Sequence, residues 1–122
     1  MAEKNEVKVE KLGDVALLDI KGDITRTSAP FIEEAFRKRD VEQAPKLLLR
    51  FYSTTYFNSE GIKVLIQLLA ESKRNQQQVG ITGLSKHFKK IFGMVGIKKL
   101  ATIFNSMGEA LEDLTGSGEE ST

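Results

Sequence analysis

Short apolar runs alternate with helical patterns along most of this chain, and this alternation restricts its fold more than any other feature. Apolar residues at adjacent or alternate positions indicate strands, whereas apolar residues three or four positions apart indicate helices. After an initial hairpin, a helix separates each strand from the next, which requires crossover connections and therefore parallel pairing. The predicted strands occupy residues 7–12, 15–20, 46–52, 79–82 and 101–104.

The first two predicted strands form a hairpin at the edge of the sheet. Gly13 and Asp14 form a turn signal between them. VALLDI, at residues 15–20, is almost continuously apolar, which is typical of a strand covered on both faces. We therefore predict an α/β fold with the element order ββαβαβαβα, a mixed, mostly parallel sheet of about five strands with about four α-helices. Residues 1–115 form one domain in this prediction, and residues 116–122 form a disordered tail.

Each predicted helix begins at a serine, whose hydroxyl accepts hydrogen bonds from the free amides of a first helical turn. These serines are Ser28, Ser59, Ser85 and Ser106. The first helix is predicted to continue to about residue 42, and the last begins with a capping box. The third helix carries a predicted buried stripe of Phe88, Ile91, Phe92 and Val95.

The composition removes several classes of function. The 122 residues include no cysteine and one histidine, which excludes disulfides, thiol nucleophiles and multi-histidine metal sites. No P-loop motif is present. The net charge of +1, the lack of a long apolar run and the charged N-terminal segment indicate a cytoplasmic protein that binds no nucleic acid and inserts into no membrane. We expect neither catalysis nor a cofactor.

Two stretches of the sequence carry a resemblance to a known family. LLLRFYSTTYFNSEGI, which begins at residue 47, is an apolar strand, a polar link, an aromatic pair and then Asn58-Ser59-Glu60-Gly61 at the start of an amphipathic helix. KGDITRTSAPFIEEAF, at residues 21–36, precedes it. Together these stretches resemble the STAS family, the fold of anti-sigma factor antagonists, and the element order matches across roughly residues 5–114.

The resemblance implies a regulatory protein-binding function. Typical members of the family bind an anti-sigma factor that is also a serine kinase, lose that binding when the kinase phosphorylates the motif serine, and regain it through a phosphatase. Ser59 is the corresponding acceptor in this chain. Phosphorylation adds about −1.5 to −2 charges at pH 7, which would place a dianion where the partner otherwise meets a neutral hydroxyl.

The predicted binding surface combines two loops. Loops at the carboxyl ends of parallel strands lie together, so the loop after the second strand should lie near Ser59. Tyr56 or Phe57 is a candidate exposed anchor for a partner, and Gly61 would let a partner's backbone come close. The predicted partner-binding residues are Asp23, Thr25, Thr27, Tyr56, Asn58, Ser59, Glu60 and Gly61.

Three positions depart from the family pattern. Asn58 replaces its aspartate, Glu60 replaces its small residue, and Arg50 replaces an acidic residue of the strand. Two alternatives therefore stay open. In one, Ser59 only caps its helix, and the chain is a STAS scaffold or an accessory subunit of a signalling assembly or membrane transporter. In the other, which the sequence favours least, the chain binds a nucleotide. Weak self-association through the edge strand at residues 7–12 is a further expectation.

Overall fold

A computed structural model describes residues 5–116; of the predicted tail at residues 116–122, Gly116 is described as the C-cap of α5, and residues 117–122 lie outside this range. Five strands form one sheet in the order β1-β2-β3-β4-β5. β1 pairs antiparallel with β2, and all later pairs are parallel, which confirms the predicted mixed sheet. The strands are β1 Glu6–Leu12, β2 Val15–Lys21, β3 Lys46–Arg50, β4 Gln78–Thr82 and β5 Thr102–Ile103.

Five α-helices and two short 3-10 turns connect the strands within the described range, where the sequence predicted about four helices. The 3-10 turns cover Arg26–Ser28 and Ile97–Lys99. The helices are α1 Ala29–Phe36, α2 Arg39–Glu42, α3 Ser59–Arg74, α4 Lys86–Met94 and α5 Met107–Thr115. None of them is long and apolar enough to cross a membrane.

The additional helix arises because the first predicted helix breaks at Lys38, which has an extended backbone (φ −66°, ψ 142°). Phe36 and Val41 are both buried. In one continuous helix, residues five positions apart face different sides, so Phe36 and Val41 could not both point into the same core. The break reorients the chain, and Val41 joins the same apolar cluster as Phe36.

The sheet separates two unequal cores. The larger core lies on the face covered by α1, α3 and α4, and it includes Leu18, Leu49 and Ile81. This arrangement follows from the strand order, because right-handed crossovers between strands that advance in one direction place their helices on the same face. Among the described helices, α5 alone packs on the opposite face, through Ala110 and Leu114.

The helix starts differ partly from those predicted. Ser85 and Ser106 accept hydrogen bonds from Phe88 N (3.2 Å) and Glu109 N (3.0 Å), which confirms both as caps. Ser28 occupies the predicted N-cap position of α1, but its hydroxyl does not make the predicted capping bond to that helix. Val95 was also predicted to be buried, but it is 47% exposed because α4 ends at Met94 and the helical period stops there.

Candidate partner-binding site at the start of α3

The candidate site is built from two loops that are joined by their backbones. Ile24 N donates to Tyr56 O (2.8 Å), and Asn58 N donates to Ile24 O (3.2 Å). These bonds form an isolated parallel bridge between Ile24 and Phe57, beyond the ends of β2 and β3. The side chain of Asp23 adds a third link, because its Oδ1 accepts from Tyr56 N (3.1 Å). The loop after β2 therefore lies against the segment that precedes Ser59.

Gly61 allows this close approach. It is buried in the first turn of α3, and a Cβ atom at this position would overlap the carbonyl group of Ile24. Only glycine lacks that atom. The backbone that comes close to Gly61 is therefore the chain's own, and not a partner's backbone as the sequence suggested. Gly61 shapes the site from beneath its surface.

Asn58, and not Ser59, caps α3. Asn58 has the extended backbone of an N-cap residue, and its Oδ1 accepts from Gly61 N (2.8 Å). The prediction that the Ser59 hydroxyl caps this helix was wrong by one position. Ser59 is the first helical residue, it is exposed, and its hydroxyl has no hydrogen-bond partner among residues 5–116. An exposed and unbonded hydroxyl is open to a partner or to a modifying enzyme.

The predicted site residues fall into three groups by exposure. Asp23, Thr25 and Asn58 are half-buried and hold the loops in place. Thr25 Oγ1 and Thr27 Oγ1 are 3.0 Å apart, within hydrogen-bonding distance. Gly61 is the single buried member of the predicted set. The exposed members, which are open to a partner, are Thr27, Tyr56, Ser59 and Glu60.

The aromatic pair before Asn58 divides between core and surface. Phe57 is buried, and its ring contacts Phe51, Phe88 and Phe92 edge-on at centroid distances of 4.9–5.0 Å. Tyr56 is 55% exposed, and its ring contacts that of Phe88 in an edge-to-face arrangement, with the ring centroids 5.9 Å apart. A large aromatic side chain held in place but open to solvent is typical of an interface anchor. Tyr56 is therefore the aromatic residue that this site presents.

Three positioning residues were not predicted from the sequence. Asn5 donates through Nδ2 to Lys21 O (3.1 Å) and to Asp23 O (3.0 Å). Ser28 accepts from Thr25 N (2.8 Å) and donates to Asp23 O (2.9 Å). Ile24 supplies the backbone bridge already described. Polar side chains that bind backbone atoms of another segment leave no periodic signal, so only the coordinates identify Asn5 and Ser28.

Comparison with known proteins agrees with this fold. The STAS domain family matches residues 6–110, and the chain therefore belongs to that family. It is 24% identical over 90 residues to the anti-sigma-B factor antagonist of Listeria monocytogenes, a match that covers 74% of this chain and 79% of that protein. The anti-sigma-B factor antagonist of Listeria innocua gives the same values. The family resemblance read from the sequence is thereby confirmed.

Solved structures show the same architecture. The crystal structure of an anti-sigma factor antagonist from Mycobacterium paratuberculosis aligns with a TM-score of 0.75 at 18% identity, over 90% of this chain and 93% of that one. The anti-sigma factor antagonist SpoIIAA in its unphosphorylated form aligns with a TM-score of 0.66 at 13% identity, over 91% of this chain and 97% of that one. At these identities the likeness supports the fold.

Proposed function

We propose that this chain is an anti-sigma factor antagonist whose binding to an anti-sigma factor is switched by phosphorylation of Ser59. The observation that carries the proposal is the placement of Ser59: an exposed, unbonded hydroxyl on the first residue of α3, three positions after the exposed Tyr56. The names of the Listeria relatives support the choice of partner. In this proposal the chain is a binding protein that accepts a phosphate, and the partner supplies the kinase activity.

The proposed switch acts on binding and leaves the fold intact. A phosphate on Ser59 would lie at the positive end of the α3 helix dipole, which favours a negative charge. The same phosphate would add about −1.5 to −2 charges beside the exposed carboxylate of Glu60. A partner surface that meets the neutral hydroxyl would then lose roughly 3 kcal/mol of binding free energy, or about 100-fold in affinity.

The test uses the purified full chain and an anti-sigma factor with kinase activity from the same organism. With ATP, mass spectrometry should detect one phosphate, and the mark should be absent from Ser59→Ala and present in Ser53→Ala, a neighbouring exposed serine. Calorimetry should show that Ser59→Ala binds like the wild type and that Ser59→Asp binds more weakly. If neither the wild-type chain nor any of these variants bound the anti-sigma factor, the proposal would be overturned.

The loss of the family's aspartate favours a second candidate function. Asn58 keeps the capping hydrogen bond but lacks a charge, and Glu60 places a negative charge on the other side of Ser59. A partner kinase that recognises the aspartate would act poorly on this sequence. The chain would then be a STAS scaffold, or an accessory subunit of a signalling assembly or transporter. Unmodified Ser59 after incubation with a bound partner kinase, together with unchanged binding by Ser59→Asp, would favour the scaffold over the switch.

A further inference from the structure

A cleft lies at the carboxyl ends of β3 and β4, and Ser59 is not among its lining residues. The cleft has a volume of about 360 Å³ and opens beside the start of α5, on the face of the sheet against which α5 packs. Its lining contains none of the residues predicted to bind a partner. The polar side chains among its lining residues are Arg50, Tyr52, Ser53, Thr82, Asn105 and Ser106, and Met107 also lines it.

Arg50 brings an unpaired positive charge to this cleft. It is the half-buried last residue of β3, and its guanidinium lies over the Tyr52 ring at 5.1 Å from the centroid. Across residues 5–116 it forms no hydrogen bond through its side chain and no ion pair. Asp19 is its neighbour in the register of β2, but the Asp19 Oδ1 atom accepts from the Tyr52 hydroxyl (2.7 Å). The five guanidinium N–H donors therefore have no acceptor in the described structure.

Thr82 adds a hydroxyl beside Arg50. The two residues are direct partners in the parallel pairing of β3 and β4, so their side chains leave the same face of the sheet on strands about 4.8 Å apart. Thr82 is only 2% exposed and lines the cleft, yet its side chain bonds to nothing in the part of the chain that the structure describes. Within residues 5–116 every fully buried side-chain N or O atom has a hydrogen-bond partner, so the unpartnered Thr82 hydroxyl is one that solvent still reaches, in a residue that lines the cleft.

The start of α5 provides further donors. This helix has nine residues, and its N-cap Ser106 binds Glu109 N (3.0 Å) through its side chain and Ala110 N (3.1 Å) through its carbonyl. The amides of Met107 and Gly108 have no acceptor within the described range. Free first-turn amides at the positive end of a helix favour anions.

We infer that this cleft binds an oxyanion, the phosphate group of a small molecule, between Arg50, the Thr82 hydroxyl and the first amides of α5. A guanidinium matches two oxygens of a phosphate, and hydroxyl and amide donors match the others. The site is independent of the Ser59 switch, because it shares no residue with that surface.

Nearby carboxylates limit the affinity. Asp19 lies one strand from Arg50, and Glu109 Oε1 accepts from Asn105 N (2.9 Å) at the rim of the cleft. The Asn105 side chain is also occupied, since its Oδ1 accepts from Lys89 Nζ (2.9 Å). Because the carboxylates of Asp19 and Glu109 repel an anion, we expect a dissociation constant on the order of 1 mM for inorganic phosphate.

The test is a titration of the ¹⁵N-labelled full chain with sodium phosphate, at fixed pH and with sodium chloride holding the ionic strength constant. We expect saturable amide shifts at Ser53, Thr82, Gly83, Met107 and Gly108. Arg50→Ala should weaken binding about tenfold or more, and Arg50→Lys should weaken it less, because lysine keeps the charge but loses the two-point geometry. Thr82→Val should weaken it about threefold to tenfold through the lost hydroxyl.

Two controls make the result decisive. Arg26→Ala removes an exposed cation from the other loop, and Ser59→Ala removes the proposed phosphorylation site; both should bind phosphate like the wild type. Shifts that fail to saturate, or that spread over the lysines of α4, would show diffuse ion screening and overturn the inference. Unchanged affinity in both Arg50→Ala and Arg50→Lys would also overturn it. None of these outcomes depends on whether the anti-sigma factor binds.

Discussion

A methyl group on Gly61 would overlap the carbonyl oxygen of Ile24, so the first turn of α3 and the loop after β2 meet with no room between them. Both segments are held by backbone hydrogen bonds and cannot separate without breaking them. Gly61→Ala should therefore lower the free energy of unfolding by about 2–3 kcal/mol, measured by urea denaturation.

Gly93→Ala is the matched control for this substitution. Gly93 is also helical and lies in α4, where a Cβ atom would meet the Lys98 side chain at an ordinary distance of 3.7 Å. Alanine restricts the unfolded chain and favours helix, so Gly93→Ala should be stabilising by about 0.4–1 kcal/mol. Equal effects of the two substitutions would contradict the steric role of Gly61.

Asn58 and Ser59 should differ in their contribution to stability. The Asn58 side chain caps α3, and the Ser59 hydroxyl has no intramolecular partner among residues 5–116. Asn58→Ala should cost about 1 kcal/mol, whereas Ser59→Ala should change stability by less than about 0.5 kcal/mol. Paired denaturation curves of the two variants measure this difference. If Ser59→Ala cost as much as Asn58→Ala, the assignment of the cap would be wrong.

Tyr56 and Phe57 should separate binding from folding. Phe57 is buried among three other rings, so Phe57→Ala should lower stability by about 3–5 kcal/mol. Tyr56 is 55% exposed, so Tyr56→Ala should cost about 1 kcal/mol or less. Under the proposed function, the same Tyr56→Ala variant should bind the anti-sigma factor at least about tenfold more weakly by calorimetry, as expected for an aromatic anchor. Full affinity in Tyr56→Ala would remove that role.

Tyr52 should titrate at unusually high pH. Its hydroxyl donates to the Asp19 carboxylate at 2.7 Å, and this hydrogen bond raises the pKa of Tyr52, with burial and the negative charge of Asp19 adding to the effect. The phenol must lose this proton to ionise. The hydrogen bond therefore stabilises the fold below pH about 10, the pKa of an unfolded tyrosine, and the stabilisation is lost as the pH rises through the higher folded value.

The pKa of Tyr52 can be measured directly by following phenolate absorbance in an ultraviolet pH titration. The chain has two tyrosines, so a Tyr56→Phe background leaves Tyr52 as the single phenol. We expect its pKa to lie above 10 in this background and to fall when Asp19→Ala is added, because the hydrogen-bond acceptor and its charge are both removed. An unchanged pKa after Asp19→Ala would show that burial alone sets the titration.

The sheet could be predicted from the sequence because its signal is periodic. The apolar runs around Leu18, Leu49 and Ile81 mark the three central strands, and the intervening helical stripes require parallel crossovers. The helix break at Lys38 could not be predicted in this way, since neither glycine nor proline marks it. The helix breaks there because Val41 must be buried in the same core as Phe36, and the position of that core is a property of the whole fold.

The candidate site was predictable in position and less so in detail. Parallel strand ends bring the Asp23 and Ser59 loops together, as expected from topology. The residue that caps α3 was misassigned because asparagine and serine are both good caps, and only the backbone angles show which of the two stands outside the helix. The cleft at Arg50 had no sequence signal beyond a charge that differs from the family pattern.

The order of strands in the sheet is the same as their order along the chain, and this bears on how the protein folds. Each strand after β1 pairs with the strand synthesised just before it, so each pairing closes a segment that contains a single turn or crossover. The sheet can therefore grow from β1 towards β5 during synthesis, strand by strand. The sheet should therefore fold faster than a parallel sheet whose neighbouring strands are separated by several other elements along the chain.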